Sequence, residues 1–162
     1  MNLRRVVVAG LGALTPIGNT VPEFWDGLSN GVSGAAPITR FDASKFKTQF
    51  ACEVKDLDIL QFMDRKESRK IDPYSQYAMV AVAEAMQDSG LDLDKIDLTR
   101  AGVIWGSGIG GLKTFQDEVT SFSGGDGTPR FNPFFIPKMI ADIAAGFISI
   151  KYGFQGPNFA TV

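Results

Sequence analysis

Three clusters in this chain have residue types and spacing that could do chemistry. The first is Gly106-x-Gly108-x-x-Gly111, which follows a predicted strand and precedes a predicted helix. That context matches the dinucleotide fingerprint, where backbone N–H groups at a helix start hold a pyrophosphate. The fingerprint also needs a second strand ending in Asp or Glu about 20 residues on. Here that region is a Ser/Gly loop around Asp126. We therefore read the glycines as a tight turn with close backbone approach. The second cluster is Asp64-Arg65-Lys66-Glu67-Ser68-Arg69-Lys70, a basic run in a chain of net charge −2. By itself it is either a solvated helix face or a docking patch for an acidic partner or phosphate. The third is Phe134-Phe135, set between Pro133 and Pro137. With Ile109 on the glycine turn, this rigid aromatic corner could line an apolar cavity.

The side chains that do nucleophilic and acid–base work near neutral pH are nearly absent. The chain has no histidine and one cysteine, Cys52. Cys52 lies in an alternating, strand-like run and reads as a buried structural thiol, because no histidine is present to activate it. Zinc spacing needs histidine or a second cysteine, and the carboxylates form no metal-like group. We assign no catalytic residue, no metal and no cofactor. One cysteine excludes an internal disulfide and suits a reducing cytosol. The small net charge offers no basic field for nucleic acid or an anionic membrane. No apolar run approaches the ~20 residues of a membrane span. The first residues, from Met1 through Val8, show no signal-peptide pattern. A cytoplasmic protein is expected.

These clusters need elements to position them. Residues 5–9 are a β-branched run ending at Gly10 and predict a strand buried on both faces. A glycine-punctuated loop follows. Thr20 and Glu23 then have capping-box spacing, Pro22 suits a first turn, and Gly31 suits a stop. A short strand is expected at residues 51–54. The clearest helix starts at Asp72 as N-cap with Pro73 first, and ends at Gly90. A second buried strand is expected at residues 101–105, a helix at 112–119, and an apolar helix at about 138–152, stopped by Gly153. A last buried strand is expected at residues 158–162. Strands alternating with helices predict an α/β fold with a largely parallel or mixed sheet. No repeat, low-complexity tract or internal domain boundary is read.

Four segments together resemble one family. Residues 4–19, opening Arg4-Arg5-Val6-Val7-Val8-Ala9-Gly10-Leu11-Gly12, look like the start of the elongating β-ketoacyl-acyl carrier protein synthases. Residues 65–72, Gly106-Ser107-Gly108-Ile109-Gly110-Gly111 and Asn132-Pro133-Phe134-Phe135-Ile136-Pro137 resemble that family in the same order. The resemblance covers essentially the whole chain and is nearest to the synthase II type of bacterial fatty-acid synthesis. It implies a thiolase-like fold, in which two βαβαβ halves stack as an α-β-α-β-α sandwich and two subunits form a homodimer. Residues 1–162 would be the N-terminal half.

The implied reaction is a decarboxylative Claisen condensation. A cysteine thiolate takes an acyl chain from a carrier protein. Malonyl carrier protein then loses carbon dioxide, and the resulting carbanion attacks the acyl thioester. In the family the nucleophile follows the strand matching residues 158–162, and two histidines come from the second half, so the isolated chain is expected to be inactive. The resemblance places Ile109, Phe134 and Phe135 at the acyl pocket. It places Lys66, Arg69 and Lys70, with Arg130 as a further candidate, on the patch that meets the acidic acyl carrier protein. The implied partners are that carrier, the chain's own C-terminal half and a second subunit. A non-catalytic dimerisation or carrier-binding module, and a polyketide-type ketosynthase half, are the alternatives. The final residues read as an interrupted buried strand, which we take to favour a half over a natural module. Without the second half, the helices at residues 77–86 and 140–150 are expected to lie exposed.

Overall fold

The computed structural model describes residues 4–161. In chain order it contains α1 (Val21–Ser29), β1 (Ala36–Pro37), β2 (Phe50–Ala51), α2 (Arg65–Ser68), α3 (Pro73–Ser89), β3 (Val103–Gly106), α4 (Leu112–Ser123), α5 (Phe135–Met139), α6 (Ile143–Tyr152) and β4 (Asn158–Thr161). Short 3-10 turns stand at Ile59–Gln61, Leu93–Lys95 and Leu98–Arg100. The chain divides into two compact units. One holds the residues up to Asp58 with Val80–Leu91; the other holds Ile59–Met79 with the residues from Asp92 onward. The sequence reading placed no boundary within the chain.

In the first unit, α1 is capped as its spacing predicts. The Thr20 hydroxyl accepts the Glu23 N–H at 3.3 Å. The Glu23 carboxylate reaches one residue further back than a standard box, accepting the Asn19 N–H at 2.8 Å. β1 and β2 pair antiparallel over two residues each. Residues 5–9 form no strand, and Val6 is 89 % exposed. A fully buried strand needs neighbours along its edges, and no described residue pairs with this one. The extended chain instead lies along the C-terminal part of α3. The Asp88 carboxylate accepts the Leu11 N–H, and Glu84 accepts those of Ala13 and Val21 at 2.8 and 2.7 Å. Cys52 is exposed rather than buried. β2 has one partner strand and ends before it, so no sheet covers the thiol.

In the second unit, β3 and β4 pair in parallel from Val103↔Asn158 to Gly106↔Thr161. α6 packs on both strands. Ile71, Ala78, Met79, Val103, Ala144, Ala145 and Ile148 are buried. Each large aliphatic side chain buried there stabilises by about 1.5–3 kcal/mol. Neither strand is buried on both faces, contrary to expectation. Ile104 and its cross-strand partner Phe159 are 72 % and 59 % exposed. The single apolar helix expected at 138–152 is two helices. Ile140 between them is extended, with ψ 138°. The Met139 carbonyl accepts the Gly111 N–H at 2.9 Å and the Ile140 carbonyl accepts the Tyr74 hydroxyl, so both leave the helical ladder. α6 ends at Gly153 with φ 70°, the left-handed stop that glycine permits. Met1, Asn2 and Leu3, and Val162 at the end of the last predicted strand, lie outside the described residues.

Candidate functional site

The second unit carries the candidate site. α2 is short and begins at Asp64, whose carboxylate accepts the Glu67 N–H at 2.7 Å. The Ser68 carbonyl at its end and the Ile71 carbonyl in the link beyond it both accept from the Gln76 side chain on α3, at 2.8 and 3.0 Å. That anchoring fixes the link between α2 and α3 and presents its cations together. Arg65, Lys66, Arg69 and Lys70 line one groove with Asn132 and Phe134. None of the four cations is in an ion pair among the described residues. With no ion-pair partner among the described residues, these cations present an unbalanced positive charge in the groove.

The glycine turn is built by backbone contacts. The Ser107 hydroxyl accepts the Gly110 N–H at 3.1 Å, and the Gly111 N–H goes to Met139. Those two donors are therefore not free to hold a phosphate. A Cβ on Gly111 would sit 2.1 Å from the Lys138 carbonyl oxygen and 3.0 Å from an Asp72 carboxylate oxygen. Asp72 is buried, accepts the Tyr74 N–H at 3.1 Å, and takes the Thr114 hydroxyl on its other oxygen. This carboxylate ties the start of α3 to α4 beside the turn. Burial pushes the Tyr74 phenol up from its ordinary value.

The predicted residues separate. Ile109 sits on the turn, 66 % exposed. Phe135 stacks against Phe131 and Phe115, with centroids 5.8 and 6.2 Å away, in an aromatic row along α4. Phe134 leaves that row and lies in the basic groove, where the Lys70 ammonium stands 5.3 Å from its ring centroid. Lys66, Arg69 and Lys70 come together as expected. Arg130 is not among the groove residues; it faces Asp126 at 3.7 Å in a hollow lined by Ser121, Phe122 and Thr128. The Thr128 N–H holds the Asp126 carboxyl below the usual range. Sequence reasoning named Arg65 only as part of the basic cluster, and it missed two residues: Asn132 in the groove and Thr114 as the partner of Asp72. Only Asn132 carried a signal, since Asn before Pro starts a turn; its side chain accepts the Phe134 N–H at 2.9 Å. Among the described residues no group of His, Cys, Asp or Glu could hold a metal ion, and no helix is long and apolar enough to cross a membrane.

Known proteins resemble this chain. The chain is 46 % identical over 159 residues to 3-oxoacyl-[acyl-carrier-protein] synthase 2 of Synechocystis, covering 98 % of the chain but 38 % of that relative. It therefore spans less than two-fifths of the length of that relative. Among solved structures, the ishigamide ketosynthase/chain length factor superposes with a TM-score of 0.82 at 28 % identity, covering 98 % of this chain and 40 % of that one. A type II polyketide acyl-carrier protein in complex with its ketosynthase (AntDE:AntF) gives 0.75 at 29 % identity, covering 94 % and 40 %. Both structural likenesses place the chain in the thiolase-like α/β fold, as one portion of it. The description "Beta-ketoacyl synthase, N-terminal domain" matches residues 3–162, and the chain belongs to that family.

Proposed function

We propose that this chain is the N-terminal half of a 3-oxoacyl-acyl carrier protein synthase of fatty-acid elongation, acting as an acyltransferase in a cytoplasmic homodimer. Its part in the decarboxylative condensation is to receive the acidic acyl carrier protein and to help wall the acyl pocket. The nucleophilic cysteine and two histidines would come from the length of the relatives that this chain does not span. The single observation that carries the docking role is the groove of four cations that have no ion-pair partner among the described residues. Ile109 on the glycine turn and Phe135 in the aromatic row are the apolar surfaces we assign to the pocket. Arg130, paired with Asp126, is at most a peripheral contact. Identity favours the fatty-acid type over the polyketide type, since the synthase 2 of Synechocystis is much more similar than the polyketide-type structures.

The test is the triple reversal Lys66→Glu, Arg69→Glu, Lys70→Glu in the full-length protein. Each rim contact contributes about 0.2–1 kcal/mol, so carrier binding should weaken about tenfold or more at low salt and less at high salt. Acylation by a carrier-free thioester should fall far less. Normal carrier binding by the reversed protein would reduce the cluster to a solvated face.

A further inference from the structure

We infer that Phe134 is a positioning residue of the docking groove: its ring holds the Lys70 ammonium in place for an acidic group on the carrier. This rests on the carrier-docking reading above. The resemblance assigns Phe134 to the acyl pocket together with Phe135, yet the two rings have different surroundings. Phe135 is stacked in the aromatic row, whereas Phe134 shares the groove with Arg65, Lys66, Arg69 and Lys70.

The geometry is that of a cation–π contact, with the ammonium 5.3 Å from the centroid and inside the ~6 Å range of such contacts. The backbone that carries the ring is held from both sides along the chain. The Asn132 side chain accepts the Phe134 N–H at 2.9 Å, and the Asn132 N–H is taken by Glu118 on α4 at 3.1 Å. On the other side, the Phe134 carbonyl accepts the Lys138 N–H as α5 begins. Pro133 stiffens the same turn. Lys70 is the cation nearest the buried pair Ile71 and Asp72, so its backbone is fixed as well. A lysine side chain is otherwise a flexible four-carbon stem, and ordering it on binding opposes association. A fixed aromatic ring removes part of that penalty before the partner arrives. The groove is cationic with an apolar floor, which fits an acidic protein surface that presents a carboxylate beside an aliphatic side chain.

The experiment uses the full-length protein with an acidic acyl carrier protein and, separately, a carrier-free acyl thioester. Leucine fills much of the ring's volume but has no π face. Phe134→Leu should weaken carrier binding about two- to fivefold, and Phe134→Tyr should recover most of that loss. Lys70→Met should cause a similar loss, and the double variant Phe134→Leu with Lys70→Met should lose little beyond either single change. The loss should be larger with carrier-borne than with carrier-free substrate. Should Phe134→Leu fold poorly, the Tyr and Lys70→Met variants still decide through the salt dependence of carrier binding. If the triple charge reversal weakens carrier binding but Phe134→Leu and Lys70→Met act additively or not at all, the inference falls and the docking reading stands. If the triple reversal has no effect, the docking reading itself falls. An equal or larger loss with the carrier-free thioester would return Phe134 to the acyl pocket and overturn the inference.

Discussion

Two segments carry nearly the same sequence signal and end differently. Val6-Val7-Val8-Ala9-Gly10 and Val103-Ile104-Trp105-Gly106 are both short, β-branched or aromatic runs that open into a glycine-rich loop. The second is a strand, paired in parallel with β4. The first is extended chain with Val6, Val7 and Val8 exposed. Each has glycines that let backbone press on a neighbouring element. A Cβ on Gly12 would lie 1.9 Å from the Ala81 carbonyl oxygen of α3, much as one on Gly111 would meet Lys138. What differs is the strand partner. The extended segment is tethered by carboxylates on a helix, while β3 is tethered by another backbone. Strand character is therefore a property of a pair, and propensity alone does not create it.

The comparison can be broken most decisively by studying residues 1–162 alone. Exposed Val6–Val8, the Ile104/Phe159 face and Ile150 give apolar surface worth ~25 cal/mol per Å² on burial. We expect the isolated chain to self-associate and to release no carbon dioxide from malonyl carrier protein. Light scattering and a decarboxylation assay check both, and a monomeric, sharply melting sample would contradict the first. The responsible surface differs from the sequence expectation. In α3, Ala78, Met79 and Val80 are buried; in α6, Ala144, Ala145 and Ile148 are. Apart from Ile150 on α6, the extended segments and the β3–β4 face carry the exposure instead.

The next effect tests whether both glycine contacts are equally tight. Gly12→Ala and Gly111→Ala each drive a Cβ into backbone, and each should destabilise by about 3 kcal/mol. Gly108→Ala meets nothing within 4 Å and should change stability by less than about 0.5 kcal/mol. Denaturant melts of the full-length protein would show whether the two contacts rank together.

A third effect separates the two kinds of tether. Glu84→Ala leaves two backbone donors unpaired and should cost about 2 kcal/mol. Amide exchange should quicken at Ala13 and Val21. The Ser107 amide, bonded to the Thr161 carbonyl at 2.9 Å beyond the β3 ladder, should be little affected. Equal acceleration at Ser107 would mean that the two segments do not open independently.

The smallest effect concerns Tyr74, whose hydroxyl donates to Ile140 where α5 and α6 separate. Removing it in Tyr74→Phe should cost about 1 kcal/mol. Burial raises its phenol, so folding favours the protonated form. That stability is fully present below the unfolded value of about 10 and is lost as pH rises through the folded value above it. Thermal melts between neutral pH and strong alkali should therefore fall less steeply for Tyr74→Phe than for the parent. Burial of Tyr152 leaves part of the alkaline loss in place.

The sequence by itself determined what is decided within a few residues. Thr20 caps α1, Asp72 begins α3, and Gly153 ends α6, because these depend on side chain and backbone groups within one turn. The order of four motifs over the chain was enough to reach the family and the basic cluster. Only the tertiary structure decided the rest. Among the described residues, residues 5–9 have no strand partner and no sheet covers Cys52. The 138–152 run breaks because carbonyls of Met139 and Ile140 bond to Gly111 and Tyr74, far away in sequence. The pair Phe134-Phe135 looked like one aromatic corner. A helix start at Phe135 and a fixed turn at Asn132 send one ring to the basic groove and the other to the α4 row. Adjacent residues share a local signal, but the groups they meet come from distant parts of the chain, and those contacts choose the surface each ring serves.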